Sequence, residues 1–250
     1  MGAIYCFCFA PAALPTDLDF AACGWEDPIV VRPLAGLNAV LCEVPQDRYT
    51  GDAAERRLAD LQWLMPRLEA HDRVITHVMA HATVFPLRFA TLFSSDQVLA
   101  IEVAHRRRTL LDFFARMAGR EEWAIKILLD QDRALAGRMR ALFPEAADAP
   151  SGGRGYLLRQ RQKVQAEQAI GPWLNQLIAD LDPRLLQHCA SVLKRPARDP
   201  AVANRACLVD AVNAPALHAE IARISIDYAE HGLELHCSGP WPLYSFCVAP

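Results

Sequence analysis

The order of elements between residues 121 and 238 constrains the fold most. Trp123, Ile125, Ile127 and Leu129 alternate with polar neighbours, the period-two pattern of a half-buried strand. Helical sequence follows in 131–143 and again in 154–181, where Ile170, Leu174, Leu177 and Leu181 form one apolar stripe. Between them the PEAADAPSGG segment reads as a loop. Extended segments at Cys189–Lys194 and Ala206–Val212 predict a hairpin, and Leu217, Ile221, Ile224 and Tyr228 a helix that Gly232 ends. Leu233, Leu235 and Cys237 alternate as a last strand. Strand, helices, strand, strand, helix, strand is the split βαβ order, with extra helical material in its first crossover.

Residues 1–120 form a separate α+β pattern, and the boundary is set near Gly119. Ile4–Phe9 and Leu37–Val44 read as strands of one sheet, the second ended by Pro45. Ala53–His81 has helical spacing, with Pro66 predicted to kink or divide it. In Val84–Phe89, alternation sets Phe85, Leu87 and Phe89 on one face and Arg88 on the other, and Pro86 marks an edge strand. Ser94 and Gln97 have capping-box spacing before a helix carrying Leu99, Val103, Leu110, Phe114 and Met117. The expected organisation is an α+β domain at 1–120, a split βαβ (ferredoxin-like) α+β domain with inserted helices at 121–238, and a tail at 239–250 packed against the rest of the protein. Trp241, Tyr244 and Phe246 make that tail too apolar to hang free; burying them contributes several kcal/mol at roughly 25 cal/mol per Å².

Composition narrows the function classes. A chain of 250 residues with 52% hydrophobic and 22% charged residues packs a normal core. No apolar run is long enough to span a bilayer, and the start lacks the basic region of a secretory signal, so a cytoplasmic protein without membrane contact is expected. Eight thinly spread cysteines read as reduced core residues. A net charge of −3 gives no general reason to bind nucleic acid.

Local chemistry is sparse. His77 and His81 have the spacing of two ligands on one helical face, yet lack the glutamate of HExxH and a third ligand. Cys6 and Cys8 are placed by alternation on one strand face, where a packed face outweighs chelation. The Ser151–Gly155 turn before a helix matches neither GxxxxGK[ST] nor GxGxxG. No GxSxG elbow or carboxylate pair nominates a reaction, so no catalytic, cofactor or metal residue is assigned.

Four stretches together resemble the gas vesicle GvpF/GvpL family: HDRVITHVMAHATVFPLRFATLF, EWAIKILL, SGGRGYLLRQRQ and the closing SGPWPLYSF. Ala90 departs from the usual glycine of the family's PLRFG strand, and 16–36 aligns poorly. The resemblance implies two α+β domains, the second a modified ferredoxin-like fold, and a tail packed between them. It implies a minor component at the gas-facing surface of the vesicle that acts in assembly, binds the main shell protein and other accessory proteins, and carries no catalysis or cofactor. The motif positions carried over are Pro86, Leu87, Arg88, Phe89, Tyr156, Gly239, Pro240, Trp241, Pro242, Tyr244 and Phe246, in mainly structural roles, with Arg88, on the face away from Phe85, Leu87 and Phe89, able to pair with a carboxylate between domains. The rivals are a small-ligand or phosphate-binding enzyme on a ferredoxin-like sheet and a nucleic-acid-binding regulator.

Overall fold

In the computed structural model, residues 2–144 and 152–247 are described. The chain is α+β and divides into two compact units, Met1–Arg120 with Trp241–Pro250, and Glu121–Pro240.

The first unit is built on β1 (Gly2–Pro11), which lies inside a sheet of order β2-β3-β1-β4, with β2 at Val30–Leu34, β3 at Leu37–Pro45 and β4 at Phe85–Pro86; β5 (Leu92–Phe93) also pairs with β1. Buried from Ala3 to Ala10, β1 reads as an unbroken apolar run because both of its faces are covered. On one face lie Val74, Ile75 and Val78 of α2 (Leu61–Met79). On the other, Phe9 meets Phe85, which packs edge-on against Phe113 of α3 (Asp96–Met117) at 4.9 Å between ring centres.

A bulge decides which side chains face which way. The β1–β3 register shifts between Cys6 and Cys8, leaving Phe7 without a partner. The alternation therefore slips by one: Ala3, Tyr5 and Phe7 share the α2-facing core with Cys8 and Ala10. Cys6 and Cys8 consequently lie on opposite faces, against the sequence reading, which assumed an unbroken strand.

Other departures have local causes. Strand β2 joins β3 through Ala35-Gly36, both at positive φ (49° and 76°), the geometry of a two-residue hairpin turn. The helical stretch is divided at Asp60, not at Pro66: α1 covers Asp52–Ala59, and the Asp60 carboxylate caps α2 by accepting from the Gln62 N–H at 3.0 Å. Pro66 sits inside α2, where the hydrogen bond it forfeits belongs to the carbonyl of exposed Gln62. The N-cap of α3 is Ser95, whose Oγ accepts from Val98 N–H; Ser94 and Gln97 form no box.

The second unit carries β6 (Arg120–Leu129), α4 (Gln131–Leu142), α5 (Gly153–Leu186), β7 (Ser191–Arg195), β8 (Ala201–Asp210), α6 (Ala214–Tyr228) and β9 (Leu233–Trp241). Its sheet runs β7-β8-β6-β9, and β7 and β8 form the expected antiparallel hairpin. Ile125 and Ile127 pack with Leu177, Leu181 and Leu185 of α5 and Leu217, Ile221 and Ile224 of α6. Charged groups at the edge of this core are paired: Arg205 grips Asp182 through Nε (2.6 Å) and Nη2 (3.2 Å), and Arg184 bonds Glu220 at 2.7 Å. Helix α5 passes through Pro172 and Pro183 and so runs beyond residue 181. The loop predicted at 144–153 falls largely on 145–151, outside the described residues. Among the described residues, no helix is long and apolar enough to cross a membrane.

Candidate functional site

The segment 87–91 links β4 to β5, beside the part of β1 that bulges. Leu87 N–H donates to Phe7 O at 2.9 Å and Cys6 N–H to Thr91 O at 3.1 Å, so Arg88, Phe89 and Ala90 form an excursion between two paired points. A two-residue strand cannot sustain alternation. Phe85 therefore turns to Phe9 and Phe113, whereas Phe89 lies on the opposite face with Tyr5, Tyr49 and His71, all 5.8–6.1 Å away. Expecting Phe85 and Phe89 on one face was wrong for that reason. Arg88 is exposed; its carbonyl accepts from the N–H and hydroxyl of Thr91, and its guanidinium makes no ion pair with a described residue of its own unit.

A buried hydrogen-bond chain fixes this excursion. His71 Nε2 lies 3.1 Å from the carbonyl oxygen of Leu87, which can only accept, so Nε2 carries the imidazole proton. Nδ1 is then an acceptor, and the Tyr5 hydroxyl donates to it at 3.0 Å while accepting from Ala90 N–H at 3.1 Å. Every polar atom of the pair is used. Burial, opposed by the Leu87 carbonyl, lowers the His71 pKa to about 4, and burial pushes the Tyr5 phenol well above its ordinary range. Both groups are neutral at physiological pH. Aromatic rings enclose them: Trp25 sits 4.7 Å and Tyr49 5.2 Å from Tyr5, and His71 stacks on Phe7 at 5.4 Å.

Ala90 sits at φ +62°, the left-handed region that a side chain enters at a cost. The excursion needs that backbone conformation whichever residue occupies it.

The closing motif is split between roles. Gly239, at φ +143°, is a position only glycine fills: a Cβ would stand 2.9 Å from Glu122 O and 3.0 Å from the Trp123 ring. It lies within β9, which continues through exposed Pro240 to Trp241, beyond the strand end expected near residue 238. Trp241 is 44% exposed, not buried as its size suggested. Pro242 and Leu243 are buried, and the half-buried Tyr244 joins the α2-facing core and donates its hydroxyl to Asp72 of α2 at 3.2 Å. Burial raises the Asp72 pKa, partly offset by that hydrogen bond. Phe246 is half-buried. Tyr156 stands 62% exposed on α5.

The remaining candidates stay apart from this chain. His77 and His81 have ring centres 5.4 Å apart, but among the described residues no group of three or more His, Cys, Asp or Glu side chains is placed to hold a metal. All eight cysteines are free thiols. Of the glycine-rich turn, Ser151 lies outside the described residues; Gly152 precedes α5 and provides no side-chain cap.

The sequence model of the family described as Gas vesicle synthesis protein GvpL/GvpF matches residues 3–248. The chain belongs to the GvpL/GvpF family. Gas vesicle protein L of Streptomyces sp. (strain CB03234) is 30% identical over 237 residues, covering 89% of this chain and 84% of the relative. Among solved structures, GvpF from Anabaena sp. PCC7120 superposes with a TM-score of 0.71 at 17% identity, over 100% of this chain and 98% of that one. GvpF from Microcystis aeruginosa gives 0.70 at 17% identity, with 99% of each chain covered. The GvpL/GvpF fold is thus kept while most side chains change, and family membership associates the chain with gas vesicles.

Proposed function

We propose that the chain is a non-enzymatic accessory protein of gas vesicle assembly, which binds the main shell protein before it polymerises and limits its aggregation. The observation that carries this reading is the family match over residues 3–248. A shell with an apolar gas-facing surface has subunits that aggregate in water unless they are covered or rapidly assembled. A non-catalytic role is supported by the way the Tyr5–His71 pair spends its polar atoms on the backbone of the Leu87–Ala90 excursion. In this reading the protein works in the cytoplasm, at the gas-facing surface of the growing vesicle, with other accessory proteins as further partners. The strand order β7-β8-β6-β9 supports reading the second unit as a ferredoxin-like module.

The test is co-expression with the main shell protein from the same source, followed by affinity pull-down with an unrelated apolar client as control. Retention of the shell protein alone is expected. Shell protein left in aggregates while this chain is soluble and folded would sink direct binding.

A further inference from the structure

The face of the second unit's sheet opposite its helices holds a cleft of about 570 Å³. Alternation assigns its floor. Ile125, Ile127, Ala203 and Leu235 enter the core, so Lys126 and Leu128 of β6, Asn204 of β8 and His236 of β9 face the other way. The β7–β8 connection, from Arg195 to Ala201, forms the wall.

The charges in this cleft are unbalanced. Lys126, Arg195 and Arg198 line it against one carboxylate, Asp199, although the chain as a whole has a net charge of −3. Arg195 is engaged by Glu122 at 3.6 Å, and the His236 ring by Glu234 at 2.7 Å. Lys126 and Arg198 are exposed and make no ion pair with any described residue. Leu128, Pro196, Pro200 and Ala201 add apolar surface to the lining, and Asn204 adds a neutral amide. Apart from His236 the lining has no aromatic ring on which a nucleobase could stack, and it has no glycine-rich turn to cradle a phosphate. Two free cations in a lining that also offers apolar surface match carboxylates interspersed with aliphatic side chains.

We infer that this cleft receives an acidic, aliphatic segment of a partner protein, with one carboxylate on the Arg198 fork and another on the Lys126 ammonium. The inference deepens the accessory-protein reading, on which it rests for the partner's being a protein.

The test uses the full chain and fluorescence anisotropy. The probes are a labelled decapeptide of glutamate and leucine, its glutamine counterpart and a labelled single-stranded DNA of equal charge; inorganic phosphate is the competitor. The glutamate peptide is expected to bind, and Lys126→Glu or Arg198→Glu to weaken it by about tenfold or more each, the loss of one charge-assisted contact. Lys163→Glu, on α5, serves as the control and leaves binding unchanged. Circular dichroism melts matching the parent establish that each variant is folded. Equal binding of the glutamine peptide, tighter binding of the DNA, displacement by phosphate at equal concentration, or indifference to both reversals would each overturn the inference. Shell pull-down with the doubly reversed variant separates the two readings. Shell retained by a variant that no longer binds the peptide leaves the assembly role and removes the cleft from it. Peptide bound by a parent that ignores the shell leaves the cleft and removes direct shell binding.

Discussion

Replacing Tyr5 with phenylalanine removes one oxygen atom and two hydrogen bonds from a place that water does not reach. Tyr5 is 0% and His71 1% exposed. The ring remains, with its contacts to Trp25 and Tyr49, so no cavity of consequence opens. What changes is that Ala90 N–H loses its acceptor and His71 Nδ1 loses its donor. A stranded buried polar group costs about 1–3 kcal/mol. Ala90 is only part-buried, so its amide falls at the low end and His71 nearer the high end, giving a total of about 3 kcal/mol. Such a loss is a large fraction of the stability of a domain this size. Urea unfolding supplies the free energy, and amide exchange at Ala90 shows where the loss arises, because its protection depends on the missing oxygen. Adding His71→Leu should recover part of the cost, since the orphaned ring nitrogen goes with the ring, giving a coupling energy of about 1–2 kcal/mol in the double-mutant cycle. A loss under about 1 kcal/mol with unchanged Ala90 exchange would refute the argument that this chain holds the excursion.

Three further outcomes follow from the same geometry. Ala90→Gly should raise stability by about 0.5–1 kcal/mol, because glycine adopts φ +62° without the side-chain penalty; a lower midpoint in urea would contradict it. His71 has a folded pKa of about 4, below its ordinary 6.5, so the unfolded state binds the extra proton between these values. Its contribution is complete above pH 6.5, declines as pH falls and is lost near pH 4, about 3 kcal/mol in all; stability titrations of His71→Gln should be flatter across that window. Gly239→Ala should cost about 2 kcal/mol or more, since its Cβ collides with Glu122 O and Trp123, and a thermal midpoint equal to the parent's would show that β9 can shift instead.

How much of this was legible in the sequence depended on the range of the interaction. The alternation of Trp123, Ile125, Ile127 and Leu129 marked β6 because one face of that strand is covered by helices. Leu99, Val103, Leu110, Phe114 and Met117 marked α3 for the same reason, and all five are buried. Features set by one residue were lost. The Phe7 bulge leaves the composition of β1 unchanged while exchanging its faces, and β2 was missed because Pro33 and an Ala-Gly turn carry no usual hairpin signal. The Tyr5–His71 pair is separated by 66 positions, which no spacing rule bridges. One local signal did exist. His71, Val74, Ile75 and Val78 share a helical face, so a histidine stood on the stripe that had to be buried.

Several of the motif residues that reveal the family are occupied within the fold. Leu87 binds β1 and His71 through its backbone, Gly239 lets β9 pass Trp123, and Tyr244 is tied to Asp72. A side chain whose polar atoms are satisfied internally has little left to offer a partner. The fold itself tolerates wide change elsewhere, being kept at a TM-score of 0.71 with 17% identity. On the proposed reading, contact with a partner falls to exposed side chains outside that internally bonded set. Lys126 and Arg198 belong to that class, and they are the positions at which altered binding should appear without altered folding.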